Sequence, residues 1–125
     1  MSTLALIIED DEDLASIFAE ALRGVGFDVE HVADGTVAQQ RLKNKEAPYL
    51  VLLDMHLPHV SGADLLADMR TDERFKETVI IITTADARMG ETFGEKADFV
   101  MIKPISFVQL RDLTSRLKPK DQEVE

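Results

Sequence analysis

The chain has 125 residues, 45% hydrophobic and 30% charged, a length and mix that fit one domain with a real core and argue against disorder away from the ends. With 24 acidic residues against 14 basic ones it carries a net charge of −10, which repels nucleic acid and anionic lipid. It contains no cysteine, which removes disulfides, thiolate nucleophiles and thiolate metal sites, so a bound metal must sit on oxygen or imidazole.

No basic segment precedes the apolar stretch near the N-terminus, and no run reaches the roughly 18 apolar residues of a membrane helix. A cytoplasmic protein without membrane insertion is the expectation. Leu4 to Ile8 is a continuous apolar run that stops at Glu9-Asp10-Asp11, the pattern of a strand buried on both faces. Leu14, Ile17, Phe18, Ala21, Leu22 and Val25 then follow a helical rhythm, with Asp11 or Asp13 to cap the start and Gly24 or Gly26 to stop it. Phe27, Val29, His31 and Val32 mark a second strand, and residues 35 to 45 a helix with Val37, Ala38 and Leu42 inward.

Pro48 resets the chain before the apolar run Tyr49 to Leu53, which ends at Asp54. A loop with Pro58 and Gly62 leads to a helix carrying Leu65, Leu66 and Met69, and Val79 to Ile82 is the next buried strand. After Thr83-Thr84-Ala85 the stretch containing Gly90 and Gly94 predicts only a short, weak helix, since each glycine costs a helix about 1 kcal/mol relative to alanine. Phe99 to Ile102 is the last strand, Lys103-Pro104 stops it, and Phe107, Leu110, Leu113, Thr114 and Leu117 mark a final amphipathic helix. The expected domain is 1–118, followed by a polar tail at 119–125.

Five apolar strands alternating with helices imply an α/β fold, a doubly wound parallel sheet covered on both faces. In the flavodoxin-like strand order 2-1-3-4-5, ligands bind beyond the carboxyl ends of strands one and three. Those strands end in Glu9-Asp10 and Asp54. Carboxylates gathered there repel, at roughly 4 kcal/mol for a pair about 4 Å apart in an effective dielectric of 20, and a hard cation relieves the conflict. Mg²⁺ suits oxygen-only ligands that leave room for waters and a phosphoryl oxygen, and an aspartate beside it can attack phosphorus. Lys103 and Thr84, at the ends of strands five and four, supply a cation and a hydrogen-bond donor for the transferring group.

The sequence Ile8-Glu9-Asp10-Asp11, Leu53-Asp54-Met55-His56-Leu57-Pro58, Ser61-Gly62, Thr84-Ala85 and Lys103-Pro104 resembles the response-regulator receiver family of two-component signalling, within the chemotaxis-regulator-like superfamily. The likeness covers nearly the whole chain, with the motifs in the family's order at strand ends. It implies Asp54 as the phosphoacceptor, Glu9 and Asp10 with Asp54 as metal ligands, the His56 carbonyl as a further ligand, and Thr84 and Lys103 on the phosphoryl oxygens. A cis Lys103-Pro104 bond is implied as well. The partner would be a sensor histidine kinase or a histidine phosphotransfer protein, docking near helix one and the Pro104 to Phe107 loop. Such a domain catalyses only its own phosphoryl transfer and dephosphorylation and is not an enzyme in the usual sense.

Two departures stand out. The family's aromatic residue three before the lysine is here Val100, and neighbouring Phe99 points to the other face of the strand. Thr84 and Lys103 also stand closer together than is usual, which predicts a truncated or mobile fourth helix. Asp11 to Asp13 read as helix-start acids, His31 as a strand residue without chemistry, and His56 and His59 as loop histidines rather than a metal pair, because Pro58 breaks the helix that would join them. Alternatives are a receiver-like scaffold working without phosphorylation, and an aspartate-nucleophile phosphatase of the haloacid-dehalogenase kind. The latter is disfavoured because residue 56 is His rather than Asp. With little chain after the last helix, the expectation is a single-domain regulator or the receiver of a larger protein, with an unknown output partner.

Overall fold

The computed structural model describes residues 3–118, and the expected polar tail at 119–125 lies outside the described residues. The strands are β1 (Leu4–Ile8), β2 (Asp28–Val32), β3 (Leu50–Asp54), β4 (Val79–Thr84) and β5 (Phe99–Ile102). The helices are α1 (Glu12–Val25), α2 (Gly35–Asn44), α3 (Gly62–Arg70), α4 (Ala87–Phe93) and α5 (Phe107–Ser115), with a 3₁₀ turn at Glu73–Phe75. All pairings are parallel and the strand order is β2-β1-β3-β4-β5, the doubly wound order that the alternating pattern predicts. No helix among the described residues is long and apolar enough to cross a membrane.

Successive strand residues point to opposite faces, so an uninterrupted apolar run feeds two cores at once. Leu6, Ile8, Val51, Leu53, Ile80 and Ile82 pack with Ala38, Leu42, Leu65, Leu66 and Met69 from α2 and α3, and Met89 and Phe93 of α4 lie against them. Ala5, Ile7, Leu50, Leu52 and Ile81 pack on the other side with Ala15, Phe18, Leu22 and Leu110 from α1 and α5. Each fully buried Leu, Ile or Phe contributes about 1.5–3 kcal/mol of transfer free energy, so the sheet centre carries most of the stability.

Local chemistry sets the helix ends. The Asp11 carboxylate accepts the Leu14 N–H at 3.1 Å at the start of α1, and Gly26, at φ 116°, ends it in the left-handed region open to glycine. Ser61 caps α3, and Ser106 with Gln109 forms a reciprocal capping box at α5.

Three expectations need correction. Ile17 and Val37, read as inward, are 43% and 54% exposed. The inward arc of α1 is filled instead by Ala15 and Ala19 beside Phe18 and Leu22, because small residues let the helix sit close to the sheet. In α2 the inward arc includes Arg41, whose guanidinium is held by Glu30 at 2.8 Å and the Glu46 carbonyl at 3.1 Å. Third, the sheet is not covered everywhere: Phe99, Val100 and Ile102 of the edge strand β5 are 37%, 36% and 45% exposed.

The short fourth helix is present, seven residues long and the shortest of the α-helices. A Cβ at Gly90 would stand 2.9 Å from Val100 Cγ1, and one at Gly94 would stand 2.6 Å from the Gly90 carbonyl. Gly90 therefore lets α4 lie close over β5, while Gly94 avoids a clash with α4's own backbone. The Lys103-Pro104 bond is cis.

Candidate functional site

The parallel register brings the carboxyl ends of β1, β3 and β4 level. Ile8 pairs with Leu53, and Asp54 with Thr83, so the residues that follow or end these strands share one rim. There Glu9, Asp10 and Asp54 each offer a carboxylate oxygen within 4.8 Å of the others, Glu9 and Asp54 buried and Asp10 exposed. Lys103 reaches across β4 from the end of β5, its Nζ 3.1 Å from Glu9 Oε1 and 3.6 Å from Asp54 Oδ1.

One ammonium cannot balance three clustered acids, two of them buried. Burial pushes the Glu9 carboxyl up to about 7, with the Asp54 charge as the second cause, while the Asp11 N–H and Lys103 pull it down. The donor set is all oxygen, hard and negatively charged, which fits Mg²⁺ and suits no soft metal.

Backbone geometry fixes the groups. The His56 N–H donates to Asp54 Oδ1 at 3.0 Å, and the Met55 N–H donates to the Thr83 carbonyl at 3.0 Å. A Cβ on Gly62 would come 2.5 Å from the Asp54 carbonyl oxygen and 2.6 Å from Met55 Cα, so α3 starts against the backbone of the central acid only because residue 62 has no side chain. Glu9 is gripped from both sides: the Asp11 N–H donates to its Oε2 at 3.2 Å, and the His31 Nε2–H donates to its carbonyl at 2.7 Å.

Asp54, Glu9, Asp10 and Lys103 therefore converge. The His56 imidazole is exposed and outside the acid cluster, so residue 56 meets the site through its backbone. Thr84 ends β4, but its hydroxyl turns toward α4, accepting the Asp86 N–H at 3.0 Å and lying 3.8 Å from Met89 Sδ. His59 pairs with Asp34 at 2.6 Å rather than with His56, and holds that carboxyl below its usual range.

Sequence reasoning missed two neighbours. His31 was read as inert, and only the pairing of β1 with β2 brings it under Glu9. Thr83 was passed over beside Thr84, although strand alternation points it to the same face as Asp54, the residue it pairs with.

The model of the family described as "Response regulator receiver domain" matches residues 5–115. The sensory transduction protein RegX3 of Mycobacterium tuberculosis is 36% identical over 118 residues, covering 93% of this chain but 49% of RegX3. A response regulator from Chloroflexus aurantiacus superposes with a TM-score of 0.82 at 26% identity, covering 94% of this chain and 98% of that one. The receiver domain of the sensor histidine kinase PA1611 from Pseudomonas aeruginosa, whose structure has a magnesium ion in its active-site cleft, shares the fold at a TM-score of 0.80 and 24% identity, covering 94% of this chain and 98% of that one. The match across almost all of the described chain, on a sheet of order 2-1-3-4-5, means that this protein belongs to the response regulator receiver domain family, the signalling domains of two-component systems.

Proposed function

We propose that this domain accepts a phosphoryl group on Asp54 from a phosphohistidine of a sensor histidine kinase or phosphotransfer protein, and that it does so in the cytoplasm with Mg²⁺. The observation that carries the reading is the convergence of Glu9, Asp10 and Asp54 within 4.8 Å beside Lys103. Glu9, Asp10, Asp54 and the His56 carbonyl would hold the metal, which when bound offsets the repulsion among the acids and the negative charge of the incoming phosphoryl oxygens.

An Asp54 carboxylate oxygen attacks phosphorus as the P–N bond to the donor imidazole breaks, and the departing ring keeps the electron pair and takes a proton. Lys103 sits where it can follow the new charge by leaving Glu9. Thr84 can turn its hydroxyl from the Asp86 N–H to a phosphoryl oxygen, which couples the site to the first turn of α4. In this reading the conformational change passes to a partner protein without the usual aromatic side chain, since position 100 is valine.

The test is intact-protein mass after incubation with Mg²⁺ and a small phosphodonor, for the wild type and Asp54→Ala side by side. A single phosphate-sized gain in the wild type, lost with Asp54→Ala and on chelation, is the expected result. No gain in a folded, Mg²⁺-binding wild type would defeat phosphorylation by small donors, and a purified histidine kinase as donor would then decide between kinase-specific transfer and a scaffold.

A further inference from the structure

Thr83 is 1% exposed, and its Oγ1 is the only buried side-chain nitrogen or oxygen among the described residues without a hydrogen-bond partner. Buried hydroxyls almost always find a partner, so an orphan calls for an explanation. Its position suggests one. Thr83 pairs with Asp54 on one side and Met101 on the other, and strand alternation puts its side chain on the same face as both. Neighbouring strands lie roughly 4.8 Å apart, so the hydroxyl and the Asp54 carboxylate are adjacent.

Asp54 also has spare capacity. Its Oδ1 accepts the His56 N–H, with Lys103 Nζ 3.6 Å away, while no donor among the described residues serves its Oδ2. A valine at 83 would fill the same volume in this apolar face without leaving a hydroxyl unpaired, so the resting fold makes no use of the oxygen.

We propose that Thr83 is a positioning residue for Asp54: its O–H donates to the carboxylate once that group turns toward metal and phosphodonor, holding one oxygen so that the other is presented to phosphorus. The inference rests on Asp54 as phosphoacceptor. It is distinct from the role of Thr84, whose hydroxyl turns to the opposite face and toward α4. Binding that removes an orphaned donor gains more than the same bond would in water, because the hydroxyl is already stripped of solvent.

The test compares the wild type, Thr83→Val and Thr83→Ser by three readouts: urea midpoint without metal, Mg²⁺ affinity followed by the amide signals of Asp54 and Met55, and phosphorylation rate by intact mass. Thr83→Val should unfold at or above the wild-type midpoint, yet bind Mg²⁺ more weakly and take phosphate about tenfold more slowly, the loss of one hydrogen bond to a charged group. Thr83→Ser, which keeps the hydroxyl, should recover both functions. Wild-type Mg²⁺ affinity and rate in Thr83→Val would overturn the proposal, as would a lowered midpoint in that variant or a Thr83→Ser as slow as the valine. If the wild type gains no phosphate from either a small phosphodonor or a purified histidine kinase, the reading of Asp54 fails, and equal Mg²⁺ affinities for wild type and Thr83→Val would separately dismiss Thr83.

Discussion

β3 and β5 are both short apolar runs that end beside a residue of the site, yet they live in different surroundings. All five residues of β3 are buried, between β1 and β4 and under helices on both faces. β5 pairs only with β4, has no fully buried residue, and is covered on one side by a seven-residue helix with two glycines near it. Asp54 is thus carried by the most constrained strand and Lys103 by the least. Under the proposed function, a rigid carboxylate beside a cation on a looser edge would let Lys103 move between Glu9 and a new charge without disturbing the core.

Substitutions in the two strands should have unequal costs. Leu52→Ala in β3 should cost about 2–5 kcal/mol in urea unfolding, because it opens a cavity at the sheet centre. A loss under about 1 kcal/mol there would contradict the rigid-centre reading.

The next effect is one of pH. The folded-state carboxyl of Glu9 titrates near 7 and the unfolded one near 4.5. Between those values the folded protein holds the extra proton, so stability falls as pH rises through the window, by on the order of 3 kcal/mol, and stays low above it. Glu9→Gln should flatten that part of the metal-free profile. Mg²⁺ should restore stability above pH 7 more than at pH 5, as binding at about 100 times Kd adds about 2.7 kcal/mol. Equal Mg²⁺ effects at the two pH values would remove Glu9 from the site.

At the edge, Gly94→Ala drives a Cβ to 2.6 Å from the Gly90 carbonyl and should cost about 1–3 kcal/mol, with backbone that cannot easily yield. Gly90→Ala clashes with Val100 Cγ1 at 2.9 Å and makes only ordinary contact with Ile102 Cδ1 at 3.5 Å, so Val100→Ala should rescue it in a double-mutant cycle. Val100→Ala alone should cost less than about 1 kcal/mol, since the side chain is already 36% exposed. A cost matching that of Leu52→Ala would erase the contrast between the strands. Hydrogen exchange offers a direct view: amides of α4 and β5 should exchange well before those of β3.

Much of the fold was legible because the signals were local. Leu4 to Ile8 and Phe99 to Ile102 are strands with the boundaries that their apolar runs suggest, and the two glycines foretold a short α4. Ile17 and Val37 misled because periodicity fixes a helix's apolar stripe but not which edge of it faces the sheet, whereas the buried arcs are centred on Ala15, Phe18, Ala19 and Leu22 in α1 and on Ala38, Arg41 and Leu42 in α2. Nothing in the run Phe99 to Ile102 tells that it is an edge, because exposure of a strand depends on what pairs with it.

The candidate site divides in the same way. The acids after β1 and at the end of β3, the threonine at the end of β4 and the lysine after β5 were readable as strand-end residues, since an α/β order sends parallel strands to one rim. The contacts between elements came from the tertiary structure alone: His31 under Glu9, Thr83 with its orphaned hydroxyl paired to Asp54, Gly62 against the Asp54 backbone, and Thr84 turned to α4. The physical reason is that composition and periodicity determine which faces are buried, while register and close approach determine which atoms meet, and those depend on the whole sheet at once.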